Sequence, residues 1–368
     1  MPRPLSTPVV FVTGVDAVAV GAATVSLQWD LPRAVVVQHD LDVSRRTLTR
    51  TVSDVTGLLE REELSLQHVC VSCATREDVV PTLDRLGALG RWDVIVARLP
   101  VTAEVRQVCR VLAAEPDRAP YVRVAATVVA LEEGRVVGDL LGDDLVSERG
   151  LQTCESDHRG VGEVASAMVE YADVVTVVGA ADPQETALLR TLARPGALVV
   201  PSLEKVETGR LASGLHETDR AEDWVAEVRR GPLPASGSAD VWTLDLRSDA
   251  PFHPERLLEQ LELIGGGARR SRGCFWLPSR PHDVCVWDGA GGQVSIGTLR
   301  HWHGSPPLTR LVVVGVDGGR DEVEAAFQRS LLRGRELLRR GPVWEVDRDG
   351  FEPWLGPVSV TSPAARMR

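Results

Sequence analysis

The chain has 368 residues, of which 43% are hydrophobic and 25% are charged, so it holds enough apolar material for a core in each of about two domains. This composition excludes a chain that is disordered throughout, because its charge is not combined with low hydrophobicity. The formal net charge of −11 argues against a sequence-independent binder of nucleic acid, which needs a strongly basic surface.

Valine-rich runs alternate with helical stretches through the first two-thirds of the chain. Parallel strands read as nearly continuous apolar runs because both faces of their sheet are buried. The alternation of strands and helices predicts an α/β fold with a doubly wound, mostly parallel sheet. The predicted strands begin at Val9, Arg33, Trp92, Val122, Asp173 and Gly196, and the predicted helices include 76–90, 102–115, 162–172 and 183–193.

A stretch rich in proline, glycine and serine interrupts this pattern at 231–240 and predicts a linker. Beyond it, alternating strands with Gly-rich turns combine with helices at 253–264 and 321–340, which indicates an α+β domain. The predicted organisation is a first domain at 1–230, the linker at 231–240, a second domain at 241–350 and a frayed tail at 351–368.

The sequence contains no apolar run of the about 18 residues that a membrane-spanning helix needs. The first residues also lack the pattern of an export signal. Six cysteines in a chain of this length are too sparse for a disulfide scaffold. We therefore expect a cytoplasmic protein with reduced thiols and no membrane partner.

The loop after the first predicted strand lies where a nucleotide-binding α/β domain has its phosphate loop. Gly14 and Gly21 match the glycines of such a loop, but no lysine precedes Thr24, and the single lysine of the sequence is Lys205. In phosphate loops that lysine reaches the β- and γ-phosphates. An ordinary strand-to-helix turn is one interpretation, and a divergent loop that still binds GTP is the other. The missing positive charge favours the turn.

A cysteine pair, Cys70 and Cys73, follows a stretch that we predict to be helical. A CxxC turn can direct both thiolates to one Zn²⁺ ion, and His68 could supply a third ligand. Two buried or redox-inert thiols remain the alternative. Other residues able to bind a metal are Cys154 with Asp157 and His158, then His253, and His301 with His303, which share one face if they lie on a strand.

Two parts of the sequence carry a family resemblance. Residues 70–78, Cys-Val-Ser-Cys-Ala-Thr-Arg-Glu-Asp, are similar to a CxCC-T-L-R-x-D motif, and 251–257 with 270–277 are similar to P-F-H-P-x-R-L and R-S-R-G-x-x-W elements. On these residues the chain resembles the CobW-like, metal-handling P-loop GTPases over nearly its whole length. The resemblance implies a P-loop NTPase-like first domain and a CobW-type C-terminal domain, whose motif residues here are Phe252, His253, Arg256, Arg272, Gly273 and Trp276.

Members of that family couple GTP hydrolysis to the delivery of zinc or cobalt to client proteins. This chain departs from their pattern: Ser72 replaces the middle cysteine, Ala97 stands where an acidic residue is expected, and the guanine-reading N-K-x-D retains only its last residue at 179–182. The resemblance therefore implies a family fold that no longer hydrolyses GTP, with neither GTP nor Mg²⁺ expected as a cofactor. The vestigial nucleotide-binding residues are Gly14, Gly21 and Asp182.

The expected function is that of a zinc-binding, metallochaperone-like protein or a zinc-responsive regulator, with Cys70, Cys73 and His68 as ligands and a metalloprotein as client. A branch of the family with a degenerate loop includes a zinc-responsive factor that recruits a hibernation factor to ribosomes. That likeness gives the alternative of a partner in the translation machinery under zinc limitation.

A basic helix predicted at 329–340, with Arg329, Arg333 and Arg340, is compatible with a ribosomal partner or with a solvated helix face. Sequence-specific binding to DNA is not expected. A divergent GTP-binding metal chaperone with residual GTPase activity is the remaining alternative.

Overall fold

The computed structural model describes residues 6–66, 74–154, 156–234, 238, 240–316 and 318–358. The chain divides into two compact units. The first comprises Met1–Leu140 and Asp144–Val225, and the second comprises Leu141–Asp143 and Ala226–Arg368. The second unit thus starts a few residues before the expected linker, and the domain limits given above stay predictions.

The first unit is built on a sheet that has eight strands within the described residues. Their order is β4-β3-β2-β5-β1-β6-β7-β8, and the six strands from β2 through β5, β1, β6 and β7 to β8 run parallel. The predicted α/β class with a mostly parallel sheet is confirmed. The strands are β1 (Thr7–Thr13), β2 (Ala34–Asp42), β3 (Thr47–Asp54), β4 (Gly57–Ser65), β5 (Val94–Arg98), β6 (Val122–Glu132), β7 (Val174–Val178) and β8 (Leu198–Val200).

Helices cover both faces of this sheet, which explains why its strands are valine-rich along their whole length. Val9 and Phe11 of β1 face one apolar cluster, whereas Val10 and Val12 face another. The helices are α1 (Ala17–Asp30), α2 (Val80–Ala88, preceded by a π-helical turn at Thr75–Val79), α3 (Val105–Ala114), α4 (Val136–Leu141), α5 (Val161–Tyr171), α6 (Pro183–Leu192), α7 (Thr208–Ser213) and α8 (Thr218–Val225).

The stretch before the cysteine pair is not helical, so the prediction for it was wrong. Strands β3 and β4 form an antiparallel hairpin that extends the sheet beyond β2. Strand β3 alternates buried and half-buried residues, as a strand with one covered face does. Strand β4 is almost wholly exposed and lies at the edge of the sheet. Its leucines and glutamates favour a helix, so its composition does not indicate a strand.

The second unit is an antiparallel sheet with helices, as the predicted α+β class requires. Within the described residues its five strands have the order β12-β11-β10-β13-β9. Its elements are β9 (Trp242–Ser248), α9 (Pro254–Gly265), β10 (Arg269–Leu277), β11 (Arg280–Ala290), β12 (Gln293–His301), β13 (Thr309–Gly315), α10 (Arg320–Ser330), α11 (Gly334–Arg340) and α12 (Glu352–Leu355).

The predicted helix over 321–340 is two helices, α10 and α11. Tertiary contacts break it, because Leu331 pairs with Phe252 as an isolated bridge and the Leu332 amide donates to the Pro251 carbonyl at 2.9 Å. Gly334, at φ +61°, then turns the chain. The basic segment 329–340 is therefore not a single helix, and that part of the prediction was wrong.

Residues 351–358 pack against the rest of the second unit, contrary to the fraying expected for them. Phe351 is fully buried in the core of the second unit. Arg280 holds the segment by donating to the backbone carbonyls of Leu355 and Gly356 and to the Asp349 carboxylate. A buried aromatic ring and a guanidinium with several acceptors fix this stretch.

No helix in the described part of the chain is long and apolar enough to cross a membrane.

Candidate functional site

The loop between β1 and α1 is shorter than a phosphate loop, because α1 already begins at Ala17. Gly14 lies against the neighbouring strand, where an added Cβ would be 2.5 Å from the carbonyl oxygen of Ala130. Its own carbonyl accepts a hydrogen bond of 3.0 Å from the Thr102 amide. Close packing of the backbone therefore accounts for the glycine at position 14.

The first turn of α1 is capped by an acidic side chain. The Asp16 carboxylate accepts a hydrogen bond of 2.7 Å from the Ala19 amide, as an N-cap does. Gly21 lies inside the helix, and the buried Thr24 hydroxyl donates back to the Val20 carbonyl at 2.7 Å. The Ala19 amide and the Thr24 hydroxyl, which would face phosphate and Mg²⁺ in a nucleotide site, thus have partners within this helix and its cap.

The other expected nucleotide elements have structural roles. Ala97 is fully buried in β5 between Phe11 and Val37 of the adjacent strands. Asp182 caps α6 in a capping box, in which its carboxylate accepts from the Glu185 amide at 2.7 Å and the Glu185 side chain accepts from the Asp182 amide at 3.1 Å. Helix capping is sufficient to explain why an aspartate occupies position 182.

The expected metal ligands His68, Cys70 and Cys73, together with Ser72, lie outside the described residues, so their assignment stays a prediction. The chain on either side of them is described. Leu66 and Ala74 are buried in one small cluster with Leu48 of β3. Both flanks of the cysteine segment therefore pack against the same part of β3.

A buried polar cluster, not anticipated from the sequence, lies beside these flanks. The fully buried His39 ring places Nε2 2.8 Å from the Asp78 carboxylate, and Arg50 also pairs with that carboxylate. Burial alone would raise the pKa of Asp78, but hydrogen bonding and charge from His39, followed by those of Arg50, outweigh it and hold that pKa below its usual value. Asp78 is the last residue of the matched 70–78 motif, and that match was the feature of the sequence that could have indicated this cluster.

The residues of the first C-terminal motif stretch lie in the core of the second unit and at the N-terminus of α9. Phe252 is fully buried and packs edge-on against Phe327. His253 is the N-cap residue of α9, and its ring lies edge-on to Trp344 with centroids 5.1 Å apart. Arg256 donates to the Glu336 carboxylate at 2.7 Å.

The second motif stretch lies on β10. At Gly273 an added Cβ would overlap the Arg310 carbonyl on β13, so close pairing of the two strands requires glycine. Trp276 is buried in a side cluster with Trp302. Arg272 pairs with Asp288 of β11 on one side and with Val312 of β13 on the other. The structure thus gives Phe252, Gly273 and Trp276 packing roles.

The remaining cysteines do not assemble a metal centre. Cys109 and Cys285 are buried, and burial is the main cause that raises the pKa of each thiol. Burial likewise raises the pKa of Cys274 to about 11. The Asp157 carboxylate, beside Cys154, is engaged by Arg159 and Thr153. Across the described ranges, no group of three or more His, Cys, Asp or Glu side chains is arranged to hold a metal ion.

Comparison with known proteins agrees with the motif resemblance. The family model "Cobalamin synthesis protein cobW C-terminal domain" matches residues 241–331. The chain is 30% identical over 300 residues to a protein of Mycobacterium tuberculosis named zinc chaperone Rv0106, covering 77% of this chain and 71% of that protein. It is 20% identical over 369 residues to zinc-regulated GTPase metalloprotein activator 1 of Dictyostelium discoideum, covering 88% and 74%.

Among solved structures, the Zn(II)-bound YjiA GTPase from E. coli aligns with 88% of this chain and 99% of its own, at 16% identity and a TM-score of 0.36. A score of this size transfers no structural detail from that protein to this chain.

Proposed function

This chain belongs to the CobW family, and we propose that it is a cytoplasmic zinc-binding chaperone or zinc-responsive regulator that works without hydrolysing GTP. The observation that carries the proposal is the 30% identity to a protein named as a zinc chaperone, which extends over 77% of the chain. The activity named for the Dictyostelium relative suggests that the client is a metalloprotein.

The residue chemistry supports zinc as the cargo. Thiolate and imidazole ligands favour Zn²⁺ over Mg²⁺ or Ca²⁺, and Cys70, Cys73 and His68 offer both kinds within six residues. Three ligands leave one position of a tetrahedral ion open to water or to a client side chain. An open position suits transfer of the ion better than a closed structural site does.

The first loop supports a function without GTP hydrolysis. A triphosphate at the start of α1 would meet the Asp16 carboxylate, which repels it and occupies the Ala19 amide. The sequence also has no lysine near this loop that could offset the negative charge. These residues do not fit a triphosphate with Mg²⁺, so no step of the proposed function involves one.

The proposal is tested by zinc titration of the reduced full-length protein and of a Cys70→Ser, Cys73→Ser variant. We expect one tight Zn²⁺ site in the parent chain and its loss in the variant, because serine hydroxyls are poor zinc ligands. A Cys154→Ser variant is the matched control and should retain the tight site. Unchanged tight binding in the double variant would show that the thiol pair is not the site.

A translation partner is a second candidate. Five arginines and one glutamate occupy 329–340 within an acidic protein, and the two helices α10 and α11 share this charge. Such a local excess of positive charge can meet the phosphates of ribosomal RNA. Co-sedimentation with ribosomes at low zinc, reversed by added zinc, would support this candidate, and no association at low zinc would count against it.

A further inference from the structure

Three of the eight histidines line one pocket of the second unit. The pocket has a volume of about 600 Å³ and is open to solvent. His282 lies on β11, His301 is the last residue of the neighbouring strand β12, and His303 follows in the turn after it. Neither the family motifs nor the proposed thiol site accounts for this concentration of imidazole.

His301 is already oriented as a metal ligand would be. It lies directly across from Asp283 in the β11–β12 ladder, and its Nδ1 is 2.9 Å from the Asp283 carboxylate. A carboxylate that accepts Nδ1–H leaves the lone pair of Nε2 free to bind a metal, which is the usual arrangement around metal-bound histidines. The His301 side chain is 63% exposed, so an ion can reach it from solvent.

His303 brings a second imidazole to the same place. The two rings are edge-on, with centroids 5.8 Å apart. Imidazoles that share one tetrahedral ion at Zn–N distances of about 2.0–2.1 Å have centroids separated by roughly 5 Å, which is close to the separation of these two rings. His303 has a positive φ of 45°, in a turn that the Ser305 amide closes onto the Trp302 carbonyl at 2.9 Å.

The residue between the two histidines anchors them. Trp302 is 7% exposed and packs in the side cluster with Cys274 and Trp276, while its amide donates to the His282 carbonyl at 3.0 Å. The two histidines therefore flank a residue that is packed against the sheet and hydrogen-bonded to it. A rigid support of this kind lowers the entropy that is lost when both imidazoles bind one ion.

We propose that His301 and His303 form a second, open site for Zn²⁺, separate from the thiol pair. With two protein ligands the ion keeps positions for water or for a ligand from another protein, so it exchanges quickly. Imidazole favours Zn²⁺ and similar transition metals over Mg²⁺ and Ca²⁺. Binding at this site does not depend on the proposed function, whereas its role as an entry or hand-off point for cargo zinc rests on that function.

The test uses calorimetric Zn²⁺ titration of the full-length protein carrying Cys70→Ser and Cys73→Ser. We expect one weak binding event, and at least a ten-fold loss of affinity, about 1.4 kcal/mol, when His301→Gln and His303→Gln are added. His158→Gln, which changes an exposed histidine of the first unit, is the matched control and should leave the weak event unchanged. A weak event that survives the loss of both pocket histidines, or its absence from the thiol-free protein, would overturn the proposal.

A second measurement covers the case in which the thiol variant does not fold. In the parent chain labelled with ¹⁵N, saturating Zn²⁺ should shift the imidazole Nε2 signal of His301 and a ring nitrogen of His303. Shifts confined to other histidines would contradict the site. If these two histidines respond while no tight thiol site is found, the proposed function fails and this inference stands.

Discussion

The Asp16 carboxylate accepts a hydrogen bond of 2.7 Å from the Ala19 amide at the start of α1. This contact places a negative charge where a phosphate loop would receive a negative ligand, and it stabilises the helix by capping it. Asp182 does the same for α6 through the Glu185 amide. Asp16, in the loop compared with a phosphate loop, and Asp182, matched to the guanine-reading motif, therefore both serve as helix caps in this chain.

Replacing either cap should lower stability without affecting nucleotide binding. We expect Asp16→Ala and Asp182→Ala each to cost about 1 kcal/mol in the free energy of unfolding, as loss of an N-cap does, measured by urea denaturation. Asn at the same positions keeps an acceptor and should restore most of that free energy. A GTP affinity that falls in Asp182→Ala at unchanged stability would contradict the capping role.

The buried cluster around Asp78 should make stability depend on acid pH. The pKa of Asp78 is lower in the folded protein than the ordinary value of about 3.9, so its contribution is complete above that value. It is lost as pH falls through the lower folded pKa. The free energy of unfolding, measured at a series of pH values from 6 downwards, should therefore decline more steeply for the parent than for Asp78→Asn. Asp117→Asn, an exposed control, should follow the parent; equal slopes for Asp78→Asn would refute the prediction.

The end of the described chain should be part of the cooperative core. Phe351→Ala removes a fully buried ring and should cost about 3–5 kcal/mol in the free energy of unfolding. Val343→Ala, at an exposed position, should change it by less than about 0.5 kcal/mol. Chemical denaturation of the two variants checks this, and similar stabilities would mean that residues after Gly350 are frayed in solution.

Three thiols should resist chemical modification in the folded protein. Cys109, Cys274 and Cys285 are buried, and burial raises the pKa of each, in the case of Cys274 to about 11. A thiol reagent at pH 8 should therefore modify them only after denaturation. Mass spectrometry of peptides from the native and denatured protein gives the sites. Rapid native labelling of any of the three would show that its environment opens readily.

The parallel strands could be predicted because burial on both faces leaves a signal in each strand alone. The apolar run Val9–Val12, and others like it, can be predicted as strands without knowing which strands lie beside them. Strand β4 could not be predicted in this way, because it is an exposed edge whose composition suits a helix. Pairing with β3, a tertiary contact, fixes its conformation.

Long-range contacts also explain the other differences from the prediction. The break between α10 and α11 depends on the bridge from Leu331 to Phe252, which lies about 80 residues earlier in the chain. The order of the segment around Phe351 depends on Arg280. At the candidate site, the motif signalled Asp78 but not its pairing with His39, because β2 and the π-helical turn meet only in the fold.

The most direct test is Zn²⁺ affinity of the reduced full-length protein, measured with and without a non-hydrolysable GTP analogue and Mg²⁺. We expect tight zinc binding that the nucleotide does not change, together with no detectable binding of the analogue itself. Sub-micromolar affinity for the analogue, or a zinc affinity that shifts when it is added, would contradict a zinc carrier that works without GTP.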